Sequence, residues 1–104
     1  MADSRIDSLK QMLEKNPDDS FAKYAIGLEY MSLNKPEMAK EMFESLRVSD
    51  PKYSATYYQL GKVYEILGEN QMAGKVYEQG IFVTTQQGDD HARSELEQAI
   101  NELL

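Results

Sequence analysis

Two stretches of this sequence are related by a constant offset of 34 residues, and this internal repeat restricts the possible folds more than any other feature. Residues 57–64 (YYQLGKVY) correspond to residues 23–30 (KYAIGLEY). The same offset relates Pro17 to Pro51, Leu33 to Leu67, Ala39 to Ala73 and Phe43 to Tyr77. A fixed period of this length, with apolar residues at helical spacing inside it, is typical of stacked pairs of helices. The sequence therefore predicts an array of helix pairs.

Apolar residues recur at spacings of three and four along most of the chain, and no segment shows the sustained alternation of a strand. This pattern predicts an all-α fold of about six helices. The predicted helices cover residues 4–15, about 18–33, about 36–49, about 53–67, about 70–85 and about 89–103. Asn16-Pro17 and Pro51 end helices, because the residue before proline is driven out of the α region. Residues 84–88 (TTQQG) are predicted to be a loop.

Small residues recur where the two helices of each pair should cross. Gly27 is predicted to face Ala39, and Gly61 to face Ala73. A bulky side chain at either glycine should force the helices apart. In the fifth helix, the predicted buried stripe consists of Met72, Ala73, Val76, Tyr77, Ile81 and Phe82.

Composition narrows the class of protein. A chain of 104 residues and 11.9 kDa is expected to form one domain, 1–104. It contains no cysteine, no apolar run that approaches a membrane span and no apolar signal segment near Met1, so a cytoplasmic location without membrane association is expected. The net charge of −7 disfavours a nucleic-acid partner, because phosphate binding draws on clustered lysine and arginine.

The repeated residues resemble those of the tetratricopeptide repeat, a 34-residue helix pair. The first unit carries Ile26-Gly27, Tyr30, Ala39, Phe43 and Pro51, and the second carries Tyr57, Leu60-Gly61, Tyr64, Ala73, Tyr77 and Gly80. Lys23 and Leu46 depart from the preferred tryptophan and small residue, and Thr85 replaces the closing proline. The resemblance implies tetratricopeptide-like antiparallel helix pairs in a short right-handed superhelix. Its parts would be an N-terminal flanking helix at 4–15, repeats at 20–53 and 54–87, and a C-terminal capping helix at 89–103.

The resemblance also implies a protein-interaction scaffold, in which the first helix of each repeat lines a concave groove that binds a peptide or partner helix. Tyr24 and Leu28 stand where chaperone-binding relatives place the lysine and asparagine of a carboxylate clamp. An apolar and aromatic groove with Lys62 as its main cation is therefore expected, without such a clamp. The expected groove residues are Phe21, Tyr24, Leu28 and Met31 from the first unit and Ala55, Tyr58, Lys62 and Glu65 from the second, with Ile66 beside them.

Three alternatives stay open at this point. The groove residues can pack inside one chain, they can meet a second copy in a homodimer, or the chain can be an accessory subunit of an enzyme. No enzyme activity, metal or cofactor is expected of the chain itself, because it has no cysteine, phosphate-binding glycine loop or nucleophile elbow. His91 follows Asp89 and Asp90, and a helix start accounts for both acids without a metal.

Overall fold

The computed structural model describes residues 2–104, with side chains from Ser4 onward; Met1, which the predicted domain 1–104 includes, lies outside the described residues. The described chain consists of six α-helices and contains no strand. The predicted all-α fold of about six helices is thus confirmed. The helices are α1 (Ala2–Lys15), α2 (Ser20–Ser32), α3 (Pro36–Ser49), α4 (Ala55–Ile66), α5 (Asn70–Gln87) and α6 (Asp90–Leu103).

Helix packing follows the order of the chain. The pairs α2/α3 and α4/α5 have the most extensive contacts, α1 packs on α2, α3 packs on α4, and α6 packs on α5 and less extensively on α4. Because α2 lies between α1 and α3, the apolar residues on two of its sides both find a neighbour. One continuous core runs through all six helices, from Ile6 and Leu9 at one end to Leu96 and Ala99 at the other.

Local side-chain chemistry sets several helix ends. The Asp19 carboxylate accepts a hydrogen bond from the Ala22 amide at 3.0 Å and caps α2. The turn after α2 passes through Asn34 at φ 59°, and the turn after α4 passes through Gly68 at φ 79°. Asparagine and glycine tolerate this left-handed conformation best, so equivalent positions of the two helix pairs use equivalent turns.

The predicted loop at 84–88 is wrong, because α5 continues to Gln87 and ends at Gly88, whose φ is 69°. Two polar contacts hold the extra turn in place. The Thr84 hydroxyl donates to the Gly80 carbonyl inside the helix at 2.8 Å. The Gln87 side-chain amide donates to the Lys52 carbonyl at 2.8 Å, which ties the end of α5 to the turn before α4.

The stripe predicted for the buried face of α5 is also partly wrong. The Phe82 side chain is 66 % exposed, and Met72 is exposed as well. Ala73, Val76 and Tyr77 are buried as predicted, because α4 and α6 cover the face of α5 on which these three residues lie. The residues of α5 that are buried are Ala73, Val76, Tyr77, Gly80 and Thr84.

The two repeated glycines lie against aromatic rings. A Cβ built on Gly27 would lie 2.6 Å from Phe43 Cζ, and one built on Gly61 would clash with the Tyr77 ring in the same way. The groups nearest to these glycines are therefore the rings and not Ala39 or Ala73 as predicted. The close approach itself is present in both helix pairs, with Phe43 and Tyr77 fully buried.

Candidate functional site

The predicted groove residues form two stripes, one on α2 and one on α4. Phe21, Tyr24, Leu28 and Met31 follow one another at spacings of three and four residues on α2, and residues 58–66 repeat this arrangement on α4. Residues at these spacings project from the same face of a helix. Each stripe thus presents its side chains in one direction.

Exposure differs within the stripes. The side chains of Phe21 and Ile66 are 60 % and 59 % exposed, and Leu28 is 36 % exposed. Met31 is half-buried and packs against the core. The stripe on α2 is thus open to solvent at Phe21 and Leu28, and Met31 also contributes to the core.

A cleft of about 340 Å³ lies among α2, α4 and α6. Tyr24 and Tyr58 from the two stripes both line it, whereas Phe21, Leu28 and Ile66 lie outside it on the same helices. The remaining lining residues are Ser54, Ala55, Gln59, Asp89, Ala92, Glu95 and Leu96. The structure thus brings together one predicted aromatic residue from each stripe and adds a wall from α6.

Packing against the core fixes both cleft tyrosines. The Tyr24 ring lies 5.8 Å from Phe43 and 5.7 Å from Tyr53, measured between ring centroids, and its partial burial raises the pKa of its hydroxyl. The Tyr58 ring lies 6.4 Å from Tyr77. Tilted aromatic pairs at these separations are favourable. The rings are therefore presented to the cleft in a preorganised arrangement.

The Lys62 side chain contacts two other side chains of α4. Its Nζ lies 5.3 Å from the centre of the Tyr58 ring, within the range of a cation–π interaction, and 3.6 Å from Glu65 Oε2. The same Glu65 oxygen accepts a hydrogen bond from the Tyr77 hydroxyl. The structure thus brings Tyr58, Lys62 and Glu65 together, so that Lys62 has both an aromatic and an acidic neighbour on its own helix.

Lys23, which stands in place of the tryptophan of the repeat pattern, is a residue of α2 and is 8 % exposed. Its side chain reaches the end of α3. Its Nζ donates a hydrogen bond to Ser49 Oγ at 3.0 Å. A cation at this place interacts favourably with the negative end of the α3 dipole. Lys23 thus has a structural role and is not part of the cleft.

Sequence reasoning missed the contribution of α6 to the cleft. Ala92 and Glu95 line it, although α6 was expected only to cap the array. A signal for this role was present, because Asp89 and Ala92 follow Asp19 and Ala22 by 70 residues. The Asp89 carboxylate accepts a hydrogen bond from the Ala92 amide at 3.1 Å, as Asp19 does from Ala22 at 3.0 Å. α6 therefore begins like α2, the first helix of a pair.

The described part of the chain shows neither a metal-binding cluster nor a helix that could cross a membrane. Residues 4–104, whose side chains the structure describes, contain no cluster of three histidine or acidic side chains that is arranged to hold a metal ion. None of the helices in this part of the chain has the length and apolar character needed to cross a bilayer. We therefore assign no metal ligands.

Comparison with known proteins identifies the fold. The sequence pattern of the tetratricopeptide repeat matches residues 22–46 and 54–81. A TPR repeat-containing protein from Pseudomonas aeruginosa is 32 % identical over 91 residues, which cover 88 % of this chain and 87 % of that protein.

Solved structures agree with this match. A tetratricopeptide repeat domain protein from Salinibacter ruber has a TM-score of 0.80 and 38 % identity, over 85 % of this chain and 89 % of that chain. A protein from Bordetella parapertussis shares the fold with a TM-score of 0.81 and 23 % identity, over 94 % and 85 % of the two chains. The chain therefore belongs to the tetratricopeptide repeat family.

Proposed function

We propose that this protein is an adaptor that binds a peptide or helix of a protein partner in the groove formed by α2, α4 and α6. Tetratricopeptide repeat proteins generally mediate protein–protein interactions and are generally non-catalytic scaffolds. We accordingly propose no catalytic step on this chain. The cytoplasmic location and the repeat boundaries at 20–53 and 54–87 stay predictions.

The observation that carries the proposal is the exposure of large apolar side chains on the first helix of a repeat. Phe21 and Leu28 are exposed on α2, and α6 packs on α5 and α4 instead of covering them. Aromatic residues, methionine and arginine are enriched at the centres of protein interfaces. An exposed aromatic next to a preorganised Tyr24 is the kind of anchor on which binding energy concentrates.

The test is the charged variant Leu28→Glu. If the groove binds a partner, the variant keeps its mass in light scattering and melts within about 2 °C of the wild type, because a partly exposed surface substitution changes stability little. It should lose the proteins that the wild type captures from extract of the source cells. The matched control is Val48→Glu on α3, which replaces a side chain that is 75 % exposed and should leave capture unchanged.

The same variant tests the alternatives. A change from dimer to monomer while the chain stays helical would assign this face to self-association. A melting temperature lower by about 8 °C or more, equivalent to roughly 2 kcal/mol, would show that Leu28 belongs to the internal packing. If mass, melting and capture are all unchanged, α2 does not carry a binding surface.

A further inference from the structure

We propose that this protein forms a weak dimer in which α5 of each copy lies antiparallel in the groove between α3 and α5 of the other. This face is separate from the groove of the proposed function, because no residue of α2 lines it. Three observations carry the inference: the volume of the α3/α5 groove, the order of the side chains along α5, and the charges of Lys75 and Glu78.

The α3/α5 groove is large enough to receive part of a helix. Its volume is about 520 Å³, whereas one turn of an α-helix with its side chains, about 10 Å wide and 5.4 Å high, occupies roughly 400 Å³. Most of the lining residues belong to α5, and Glu44 and Arg47 of α3 form the opposite wall. Arg47 donates hydrogen bonds to Glu44 at 2.7 Å and to the Gln79 side chain of α5 at 3.4 Å, which link the two walls.

The part of the groove that α5 provides has a large apolar side chain at each end. Both Met72 and Phe82 line the groove and are exposed to solvent, so a helix in the groove would remove apolar surface from water. The lining residues of α5 recur at spacings of three and four, which places them on one side of the helix: Met72, Lys75, Val76, Gln79 and Phe82.

This side of α5 is complementary to a reversed copy of itself. If two antiparallel α5 helices are related by a two-fold axis at the level of Tyr77, Met72 of one copy lies opposite Phe82 of the other, because both are five residues from Tyr77. Lys75 of one copy then lies within one residue, about 1.5 Å, of the level of Glu78 of the other. The two-fold axis makes each contact occur twice. A second copy fits this symmetry, whereas an unrelated partner would not require it.

The charges in the groove also favour a second copy. Lys75 and Glu78 are exposed, and neither takes part in an ion pair among residues 4–104. In the antiparallel arrangement, each gains an opposite charge from the other copy. The groove is lined by two basic and two acidic residues, so it has no net charge, although the whole chain carries −7. Two copies can therefore meet at this face without the like-charge repulsion that opposes association elsewhere.

The length of α5 limits the strength of the dimer. Because Tyr77 is near the middle of α5 (Asn70–Gln87), residues 70–84 of the two helices overlap over about 22 Å. A helix about 10 Å wide, together with a neighbour 8–10 Å away, gives a flat contact of roughly 450 Å² per copy. The total of roughly 900 Å² is below the area of about 1,200–2,000 Å² that stable complexes bury. We therefore expect a reversible dimer with a Kd on the order of 100 µM.

Sedimentation velocity over a concentration series tests the interface. The average mass of the wild type should rise from 11.9 kDa toward twice that value as the concentration passes about 100 µM. Phe82→Glu should stay monomeric, because the dimer would bury its charge without a partner. The matched control is Phe21→Glu on α2, where the same substitution replaces a ring of similar exposure, 60 % against 66 %, and dimerisation should persist. Both variants should melt within about 2 °C of the wild type.

Three results would overturn the inference. A wild type that is still monomeric at about 1 mM does not form this dimer, and the proposed function of α2 is unaffected by that result. If Phe21→Glu dissociates the dimer and Phe82→Glu does not, the chain associates through α2, and the proposed function fails as well. If both variants dissociate it equally, the added negative charge controls association and the α5 face does not.

A charge exchange tests whether the occupant is a second copy. Lys75→Glu and Glu78→Lys should each weaken the dimer at least about fourfold, because two attractive pairs become repulsive. In an equimolar mixture of these two variants, both pairs across the interface join opposite charges again, so the mixture should dimerise as the wild type does. If the mixture associates no better than each variant alone, Lys75 does not face Glu78 of a second copy, and the antiparallel arrangement is wrong.

Discussion

Two glycines in helix interiors should respond to alanine in opposite directions. Replacing a helical glycine with alanine stabilises by up to about 1 kcal/mol, because alanine loses less backbone entropy on folding. A Cβ built on Gly74 in α5 meets no atom within 4 Å, so Gly74→Ala should gain about 0.5–1 kcal/mol. A Cβ built on Gly61 in α4 would lie 2.5 Å from Tyr77 Cζ, well inside the normal carbon–carbon separation of about 3.5–4.0 Å.

The Tyr77 ring cannot easily move away. It is fully buried, and its hydroxyl is hydrogen-bonded to Glu65. Overpacking in a core typically destabilises by about 1–3 kcal/mol, which exceeds the propensity gain. We therefore expect Gly61→Ala to be destabilised by about 1–2 kcal/mol and to be about 1.5–3 kcal/mol less stable than Gly74→Ala. For a domain of this size the two melting temperatures should differ by roughly 6–24 °C.

Urea unfolding followed by circular dichroism provides the measurement. The unfolding curves of the wild type, Gly61→Ala and Gly74→Ala should have the same dependence on urea concentration, so that differences between their midpoints report differences in the free energy of unfolding. If Gly61→Ala is as stable as the wild type while Gly74→Ala is stabilised, the close crossing of α4 and α5 against Tyr77 is wrong. If Gly74→Ala is destabilised, the propensity argument fails instead.

Three further predictions follow from individual side chains. Thr56 and Thr84 are both fully buried, but Thr56 Oγ1 has no hydrogen-bond partner in the described chain, whereas Thr84 Oγ1 donates to the Gly80 carbonyl. Urea unfolding midpoints should therefore show that Thr56→Val is stabilised and Thr84→Val is destabilised, each by about 1 kcal/mol. The reverse order of stabilities would refute this prediction. Burial, together with hydrogen bonds to Glu44 and Glu65, raises the pKa of Tyr64 and Tyr77 above the usual 10.0. The unfolded chain releases these phenol protons near pH 10 and the folded chain does not, so the free energy of unfolding should fall as the pH rises above 10. If a Tyr64→Phe/Tyr77→Phe variant shows the same fall between pH 8 and 11, these two tyrosines do not cause it. Because Tyr24 and Leu28 replace a carboxylate clamp and Glu95 repels anions, calorimetry should show that an acidic peptide with a free C-terminus binds no better than its amidated form; a clear preference for the free acid would overturn this view of the groove.

The sequence predicted those features of the fold that depend on local patterns. The 34-residue period predicted the helix pairs, and Asp89 and Asp90 predicted the start of α6, since the Asp89 carboxylate accepts a hydrogen bond only three residues from its own position. The repeated glycines predicted a close crossing. Their partners were misassigned, because a long ring such as Phe43 reaches further across the helix pair than the small residue at Ala39.

Features that depend on contacts between distant segments were not predicted. Residues 84–87 have the composition of a loop, and they form a helical turn whose last side chain reaches the Lys52 carbonyl. The exposure of Phe82 likewise follows from which faces of α5 are covered by α4 and α6. At the candidate site, the aromatic stripe was visible in the sequence. The contribution of α6 to the cleft was not, because it depends on the packing of α6 against α4.

The most direct test of the account is to find which face of the protein a ligand contacts. Amide chemical shifts of the 15N-labelled chain would be recorded during titration with a segment of a protein that the wild type captures and Leu28→Glu does not. The account predicts that the largest changes occur at Phe21, Tyr24, Tyr58 and Glu95, on the faces of α2, α4 and α6 that border the cleft. Changes centred on Val48 and Phe82, the most exposed large apolar residues of α3 and α5, would place the binding surface on the opposite pair of helices and contradict the account.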